Sequence, residues 1–429
     1  MADEAAPLLS LAEIGGRGRA LVAARPLRGG EIVLRDSPIL LYSALPFTKQ
    51  PPPPPPSSSS TPRYCDGCFK ILPQPSTSRA VPCPSCGRHA FCGPGCLSAA
   101  AATSHTPWAC LALSRLVACP LLDGQPLERH VQARFLIAAF NLAAVSPSDF
   151  QLLLSLRGRE ALAGGSGGGG DTVSAALFLH PLLASVCPPP PPASPFPRGF
   201  SVEMIVALLS RDKLNAFGLM EPVSSQDGGG GEVDGERSVR AYGIYPRASF
   251  FNHDCLPNAC RFDYVDSASD GNADIIVRMI HDVPQGREIC LSYFPVNLNY
   301  ANRQRRLMED YGFACDCDRC KVEANWSDEE NEHNESGEDD DGDGEGMDED
   351  ADEQMSGSEA GIAEEKETDF PHAYFFIRYM CNRKNCGGTM APLPPSNSAP
   401  SDVMECNVCG QLRNADEETE ADGEEDMDE

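Results

Sequence analysis

Most of the nineteen cysteines in this 429-residue chain stand in close pairs or triplets. A C-x2-C pair lets two thiolates reach one metal ion from a tight knuckle, and zinc takes four such ligands tetrahedrally. The first block reads Cys65-x2-Cys68, Cys83-x2-Cys86, Cys92-x3-Cys96 and His105-x4-Cys110, eight donors and so enough for two zinc ions. His89 rivals His105 as the nitrogen ligand. The second group, Cys315, Cys317 and Cys320 in CDCDRC, is one ligand short of a closed structural site. The stretch FFNHDCLPNACRF supplies the missing donor: Cys255 ranks first and Cys260 second. The third group sets Cys381-x4-Cys386 against Cys406-x2-Cys409, a site carried on two knuckles. Cys119, Cys187, Cys260 and Cys290 then remain as plain buried thiols. Disulfides would be the reading in a secreted protein. No charged-then-apolar amino-terminal signal and no apolar run near twenty residues is present, so the chain reads as soluble and non-secreted, and its cysteines as metal ligands.

The elements that must position these groups come in a mixed order. Residues 10–45 alternate apolar and polar positions around glycine-rich turns and predict short strands. PPPPPPSSSS (51–60) is a linker ahead of the cysteine block. Apolar residues then recur at helical spacing over 128–145, 149–162, 172–186 and 201–214, separated by Gly- and Pro-rich loops at 164–170 and 188–197. Strands return at 240–294, where DIIVRMI and EICLSYF flank a V-P-Q-G turn, and a polar helix covers 298–311.

The formal net charge of −29 is concentrated in two places. Residues 326–369 hold 21 Asp/Glu and one Lys, and 415–429 hold 10 Asp/Glu with no Lys or Arg, which leaves the body close to neutral. Such runs repel themselves and bury nothing, so they predict disorder: solvated linkers, or docking arms for basic partners. A near-neutral body argues against direct nucleic-acid binding, and nothing marks a membrane protein.

With the pieces in this order the sequence resembles the SET-and-MYND family of protein lysine methyltransferases, in its plant ASH-related branch. The resemblance covers roughly residues 8–322. It rests on the Gly-Arg-Gly-Arg loop (16–19), the inserted cysteine block, YGIYPRASFFNHDCLPN (242–258), GREICLSYF (286–294) and FACDCDRC (313–320). GRGR alone is weak; the NH-x-C-x-PN stretch combined with C-x-C-x2-C is specific.

The implied fold is α+β. Its SET N-terminal part (8–48) precedes a MYND zinc finger (65–110) and a helical insert (111–239). A core of small curved sheets with a knot-like site follows (240–297), then a post-SET zinc segment (298–322). The acidic linker (326–369), a zinc-ribbon-like module with four cysteines (370–414) and the acidic tail (415–429) complete the chain. In the finger the resemblance assigns Cys65, Cys68, Cys92 and Cys96 to one zinc, and Cys83, Cys86, His105 and Cys110 to the other.

The resemblance also implies S-adenosyl-L-methionine as cofactor and a lysine-bearing protein, a histone tail or a non-histone protein, as substrate. Arg17, Arg19, Asn215, Asn252, His253 and Phe313 would hold the cofactor. Tyr293 would be catalytic, and Phe217, Tyr245 and Phe294 would wall the lysine channel, with core packing the competing role for each aromatic. About four structural zinc ions would shape the walls. Nuclear, chromatin-associated placement, with a cytoplasmic share, follows from the family alone. Two rival functions are an adaptor that binds proline-rich peptides through the MYND finger with an inactive SET scaffold, and a histone-binding protein acting through its acidic segments. Asn252, His253 and Tyr293 are all present, which favours the enzyme.

Overall fold

The computed structural model describes residues 7–47, 63–73, 80–158, 169–191, 194–221, 238–267, 271–325, 372–383, 386–395 and 401–415. The PPPPPPSSSS linker, the acidic run 326–369 and the tail beyond Ala415 lie outside them.

Strands β1 (Leu9–Ile14) and β2 (Gly18–Ala23) form the first hairpin, closing Ile14 against Gly18. Its tip is the Gly-Arg-Gly-Arg loop. Gly16 and Gly18 sit at φ +78 and +75, a region other residues enter only with strain, so glycine on both sides is what presents Arg17 at the turn. Strands β3 (Ile32–Asp36) and β4 (Leu40–Ser43) follow.

The cysteine block contains two small hairpins, β5 (Arg63–Tyr64) with β6 (Ile71–Leu72) and β7 (Val81–Pro82) with β8 (Ala90–Phe91). It also contains helix α1 (Pro94–Ala102), and α2 (Pro107–Val117) crosses its expected end. Thr106 caps α2 by accepting the Ala109 N–H, with Pro107 at the first turn where its missing donor costs nothing. The finger is fixed to the body. Buried Arg240 donates to Phe69 O and Asp266 Oδ2, both at 2.9 Å, and Asn272 donates to Cys68 O at 2.8 Å.

Helices α3 (Leu127–Val145), α4 (Pro147–Ser155), α5 (Gly169–Val186) and α6 (Val202–Asn215) realise the four helical segments, α4 in shorter form. Their apolar faces enclose Phe135, Leu136, Phe140, Phe150, Leu179 and Leu208, and β4 closes this core with Leu40 and Tyr42. Fully burying a side chain of this size is worth roughly 1.5–3 kcal/mol, which holds the insert to the strand region.

The insert ends in a strand, β9 (Ala216–Met220), which pairs with β10 (Val239–Ile244), itself paired with β4. Next come β11 (Asn252–His253), β12 (Ala259–Asp263), β13 (Ile275–Met279) and β14 (Cys290–Leu291). DIIVRMI and EICLSYF do not pair across their turn. The first gives β13, which lies between β12 and β3; the second gives β14, which runs parallel to β11 with Asn252 opposite Cys290 and His253 opposite Leu291. That parallel pair brings two distant signature segments side by side.

The expected polar helix is α7 (Tyr300–Arg306), capped by Asn299 and continued by a π turn, Leu307–Tyr311, that ends at left-handed Gly312. A short α8 (Asp318–Glu323) carries the last cysteine of CDCDRC. Beyond the acidic run, α9 (Ala373–Tyr379) leads into the sheet β15 (Met390–Pro392), β16 (Val403–Cys406) and β17 (Leu412–Asn414). This module docks on the body: Ala391 shares an apolar cluster with Cys260, Phe262, Ile276 and Ile280. Glu405 accepts from buried Arg278 and from the Tyr264 hydroxyl, both at 2.9 Å. No described helix is long and apolar enough to cross a membrane.

Candidate active site

Arg17, at the tip of the first hairpin, reaches across the parallel pair. It donates to His253 O at 2.7 Å, and its Nε lies 3.0 Å from Glu288 Oε2. The other Glu288 oxygen accepts from Asn252 Nδ2 at 2.8 Å. One carboxylate therefore orients two of the expected cofactor residues. Arg19 lies over the Phe250 ring and donates to Ser155 O at 3.1 Å, a cation at the carbonyl end of α4. Asn215 is buried at the end of α6, with its amide donating to Arg157 O and Arg211 O, both at 2.8 Å.

His253 is buried beneath this layer. Its Nδ1 accepts the Tyr293 N–H at 3.1 Å, and Nε2 lies 3.3 Å from Cys255 Sγ. Burial pushes its pKa down to about 3, so the imidazole stays neutral and serves as a fixed acceptor. The Tyr293 hydroxyl donates to Phe251 O at 2.9 Å. Burial, with Tyr311 and Cys290 alongside, raises the phenol above its ordinary value, so it keeps its proton at neutral pH.

Arg17, Arg19, Asn215, Asn252, His253, Tyr293 and Phe313 all line one cleft of about 1040 Å³. They come from separate segments: the first hairpin, the end of α6, β11, the segment after β14, and the turn after the π helix. The far wall is built by the insert, with Leu156, Val202, Val206 and Arg211. Four arginines (17, 19, 157 and 211) face three carboxylates (Glu13, Glu203 and Asp316) around it.

Two groups that the motif reading passed over also belong here. Tyr311 lines the same cleft, with its ring 4.7 Å from Tyr293 and 6.4 Å from Phe313. Its signal in the sequence is a tyrosine at the end of an otherwise polar helix, just before Gly312. Glu288 was legible only as one letter of GREICLSYF.

The three expected channel walls lie apart from the cleft lining. Tyr245 is fully buried, donates a hydrogen bond from its hydroxyl to Ala273 O at 2.5 Å, and meets Phe217 edge to face at 5.6 Å. Phe294 is buried against the His253 ring at 4.7 Å.

Four donor sets assemble, each with its ligand atoms all within 4.8 Å of one another. They are Cys65, Cys68, Cys92 and Cys96; Cys83, Cys86, His105 and Cys110; Cys255, Cys315, Cys317 and Cys320; and Cys381, Cys386, Cys406 and Cys409. A zinc–sulfur bond of about 2.3 Å makes the edge of a tetrahedron about 3.8 Å, whereas a disulfide needs about 2.05 Å. Sulfur pairs lie at 3.4 Å (Cys65–Cys96), 3.8 Å (Cys83–Cys110), 3.5 Å (Cys255–Cys320) and 3.6 Å (Cys386–Cys406), spacings that fit the ion and not the bond. His105 Nε2 stands 3.8 Å from Cys86 Sγ and completes the set, while the rival His89 packs on the His105 ring with Nδ1 3.3 Å from the same sulfur but stands outside the set. Cys255 joins the third set. Cys260 lies in the apolar cluster under the C-terminal module.

The family model described as the SET domain matches residues 18–294. Histone-lysine N-methyltransferase ASHR2 of Arabidopsis thaliana is 54% identical over 409 residues, covering 95% of each chain. Protein-lysine N-trimethyltransferase SMYD5 of Gallus gallus is 31% identical over 134 residues, 29% of each chain. Histone-lysine N-methyltransferase SMYD3 of Homo sapiens is 30% identical over 81 residues, 19% of this chain and 17% of that one.

Proposed function

The chain belongs to the SET-domain family of protein-lysine N-methyltransferases, and from that premise we propose that it methylates histone lysine using S-adenosyl-L-methionine. The observation that carries this reading is the convergence of the six cofactor candidates and Tyr293 on one cleft. The lining suits the cofactor: guanidinium groups for a carboxylate, and the rings of Tyr293, Tyr311 and Phe313 for a cationic sulfonium and a flat base. Arg17, Arg19, Asn215, Asn252, His253 and Phe313 would hold it. When bound, it supplies a methyl group activated by the positive charge on sulfur.

The chain's own residues supply positioning. A free lysine amine has a pKa of about 10.4 and must lose its proton before it can act as a nucleophile. Half-buried aromatic walls disfavour the ammonium form by withholding water. Tyr293 cannot serve as the base, because its phenol is held protonated. With its O–H engaged in a hydrogen bond to Phe251 O, the hydroxyl oxygen keeps lone pairs free to accept from the incoming amine and align it. Neutral His253 fixes the Tyr293 backbone. Acceleration therefore comes from orientation and electrostatics. The four thiol-rich sets would hold zinc as structural ions, and the third of them anchors the Phe313 wall of the cleft.

On the same reading the protein works in the nucleus on chromatin, and its MYND finger offers a surface for proline-rich peptides. The support for the histone target and its location is the similarity to relatives named as histone-lysine enzymes. The test supplies radiolabelled cofactor to the full chain with histone octamers, nucleosomes and a fractionated lysate. Label on histone is expected. Label confined to a non-histone band would move the substrate elsewhere, and absence of both labelling and cofactor binding would overturn the enzyme reading.

A further inference from the structure

Two arginines and one glutamate are buried together behind the Cys255 set: Arg303 is 0% exposed, Glu323 4% and Arg319 5%. Burying two guanidinium groups with one carboxylate leaves one uncompensated positive charge, which a protein interior tolerates only beside a matching negative one. The geometry shows where that match lies. Arg303 Nε stands 3.3 Å from Cys255 Sγ, and Nη2 stands 3.7 Å from Cys320 Sγ. Its remaining donors bind Glu323 Oε2 at 2.5 Å and Leu298 O at 2.6 Å. Arg319 takes the other Glu323 oxygen at 2.6 Å and donates to Val296 O and Leu298 O at 2.6 and 3.1 Å.

Four thiolates around one divalent zinc carry a net charge of minus two, while the Arg–Glu–Arg group carries plus one. Backbone N–H groups serve the sulfurs of the other sets, as Gly67 and Cys92 do for Cys65 and Val408 and Cys409 do for Cys406, and the Cys255 set has such donors too, from Cys317 to Cys315 and from Cys320 to Cys317. The Cys255 set is distinguished by a buried guanidinium fork aimed at its sulfurs. The same arginines grip the backbone carbonyls of Val296 and Leu298, three and five residues past Tyr293, so one charge group ties the metal site to the segment that presents the candidate catalytic tyrosine.

We propose that Arg303 is the counter-charge of the Cys255–Cys315–Cys317–Cys320 zinc site, holding the ion in place and positioning the segment behind Tyr293, with Glu323 and Arg319 orienting it. The inference rests on the zinc reading of that set. Outer partners of metal ligands commonly change metal affinity about ten- to hundredfold when removed.

The test reads thiol protection in the full chain: time-resolved alkylation with N-ethylmaleimide in the presence of a chelator, with each cysteine followed by mass spectrometry. The other three sets serve as internal controls. In Arg303→Met the four thiols of this set should be alkylated about tenfold faster or more than in wild type, with the other sets unchanged. Arg303→Lys keeps the charge and should stay nearer wild type than the methionine variant does. Wild-type protection of the set in Arg303→Met overturns the proposal, as does equal lability of the two variants, which would make Arg303 a filler of space. If Arg303→Met loses protection at all four sets at once, the lysine variant decides, and fast alkylation of its Cys255 set counts against the proposal. Failure of the zinc reading is separately visible: these four cysteines would then react in the wild type as fast as with the metal stripped.

Discussion

Glu288 is the carboxylate on which Arg17 and Asn252 converge, and replacing it tests whether the cleft is a cofactor site ordered by that pair. In Glu288→Ala the chain loses an ion pair at 3.0 Å and a hydrogen bond at 2.8 Å. Hydrogen bonds to charged groups contribute about 1.5–3 kcal/mol each when buried. The two side chains are 29% and 14% exposed, so water screens part of that, and Arg17 keeps its bond to His253 O at 2.7 Å. A loss of about 1–2 kcal/mol in cofactor binding remains, which is roughly five- to thirtyfold in Kd at about 1.4 kcal/mol per tenfold. Glu288→Gln keeps the shape and one acceptor for Asn252, so its loss should be smaller, about three- to fivefold. Titration calorimetry with S-adenosyl-L-methionine measures both, and the wild-type advantage should shrink as salt is raised. A Kd for the alanine variant within about twofold of wild type, with the melting temperature unchanged, would refute the claim that Glu288 orders this site.

Two further expectations concern the same region. Tyr293→Phe removes one hydroxyl from a preserved aromatic wall, so kcat should fall on the order of a hundredfold while cofactor affinity and zinc content stay near wild type; single-turnover rates beside binding isotherms check it, and a wild-type rate would make Tyr293 a packing residue. Asp212, on α6 opposite the Tyr42 hydroxyl, has its pKa raised to about 7 by burial against an ordinary value near 3.9, so the fold favours its protonated form and stability is lost as pH rises from about 4 to about 7. Asp212→Asn should therefore melt above wild type at pH 8, with the gap closing toward pH 4, as scanning calorimetry across that range would show.

The metal sites were readable because their chemistry restricts the letters: soft donors at knuckle spacing have few other uses. The fourth ligand of the third set was harder. Cys255 and Cys315 are far apart in sequence, and a count of four is what pointed to a partner. The helical insert was legible from apolar periodicity, but its role as a wall of the cleft was not, since spacing does not say which polar edge of α6 faces another element. Helix α1 was hidden because its alanine run sits among cysteines that claimed the segment for metal. The pairing of β11 with β14 lay beyond local reading altogether: two residues on each side carry no periodicity, and the parallel arrangement is set by the chain's path. Tyr311 was lost for a similar reason, because a half-buried ring at a helix end looks like packing until its neighbours are seen.

The docking of the C-terminal sheet bears on where this protein can be cut. Residues beyond 370 look in sequence like a detachable appendage behind a long acidic run, and a truncation after CDCDRC would seem harmless. The Arg278 guanidinium, 2% exposed under the docked module, would then lose both the Glu405 carboxylate and the Ala391 carbonyl and turn to water. Phe262, Ile276 and Ile280 would at the same time lose Ala391 from their cluster. Such a fragment would present a charged, apolar scar on the outer face of the β12–β13 sheet, a surface prone to self-association. Although the motifs end near residue 320, the smallest piece expected to melt as one cooperative unit runs to the strand Leu412–Asn414, and scanning calorimetry of fragments ending at 325 and at 415 would check it.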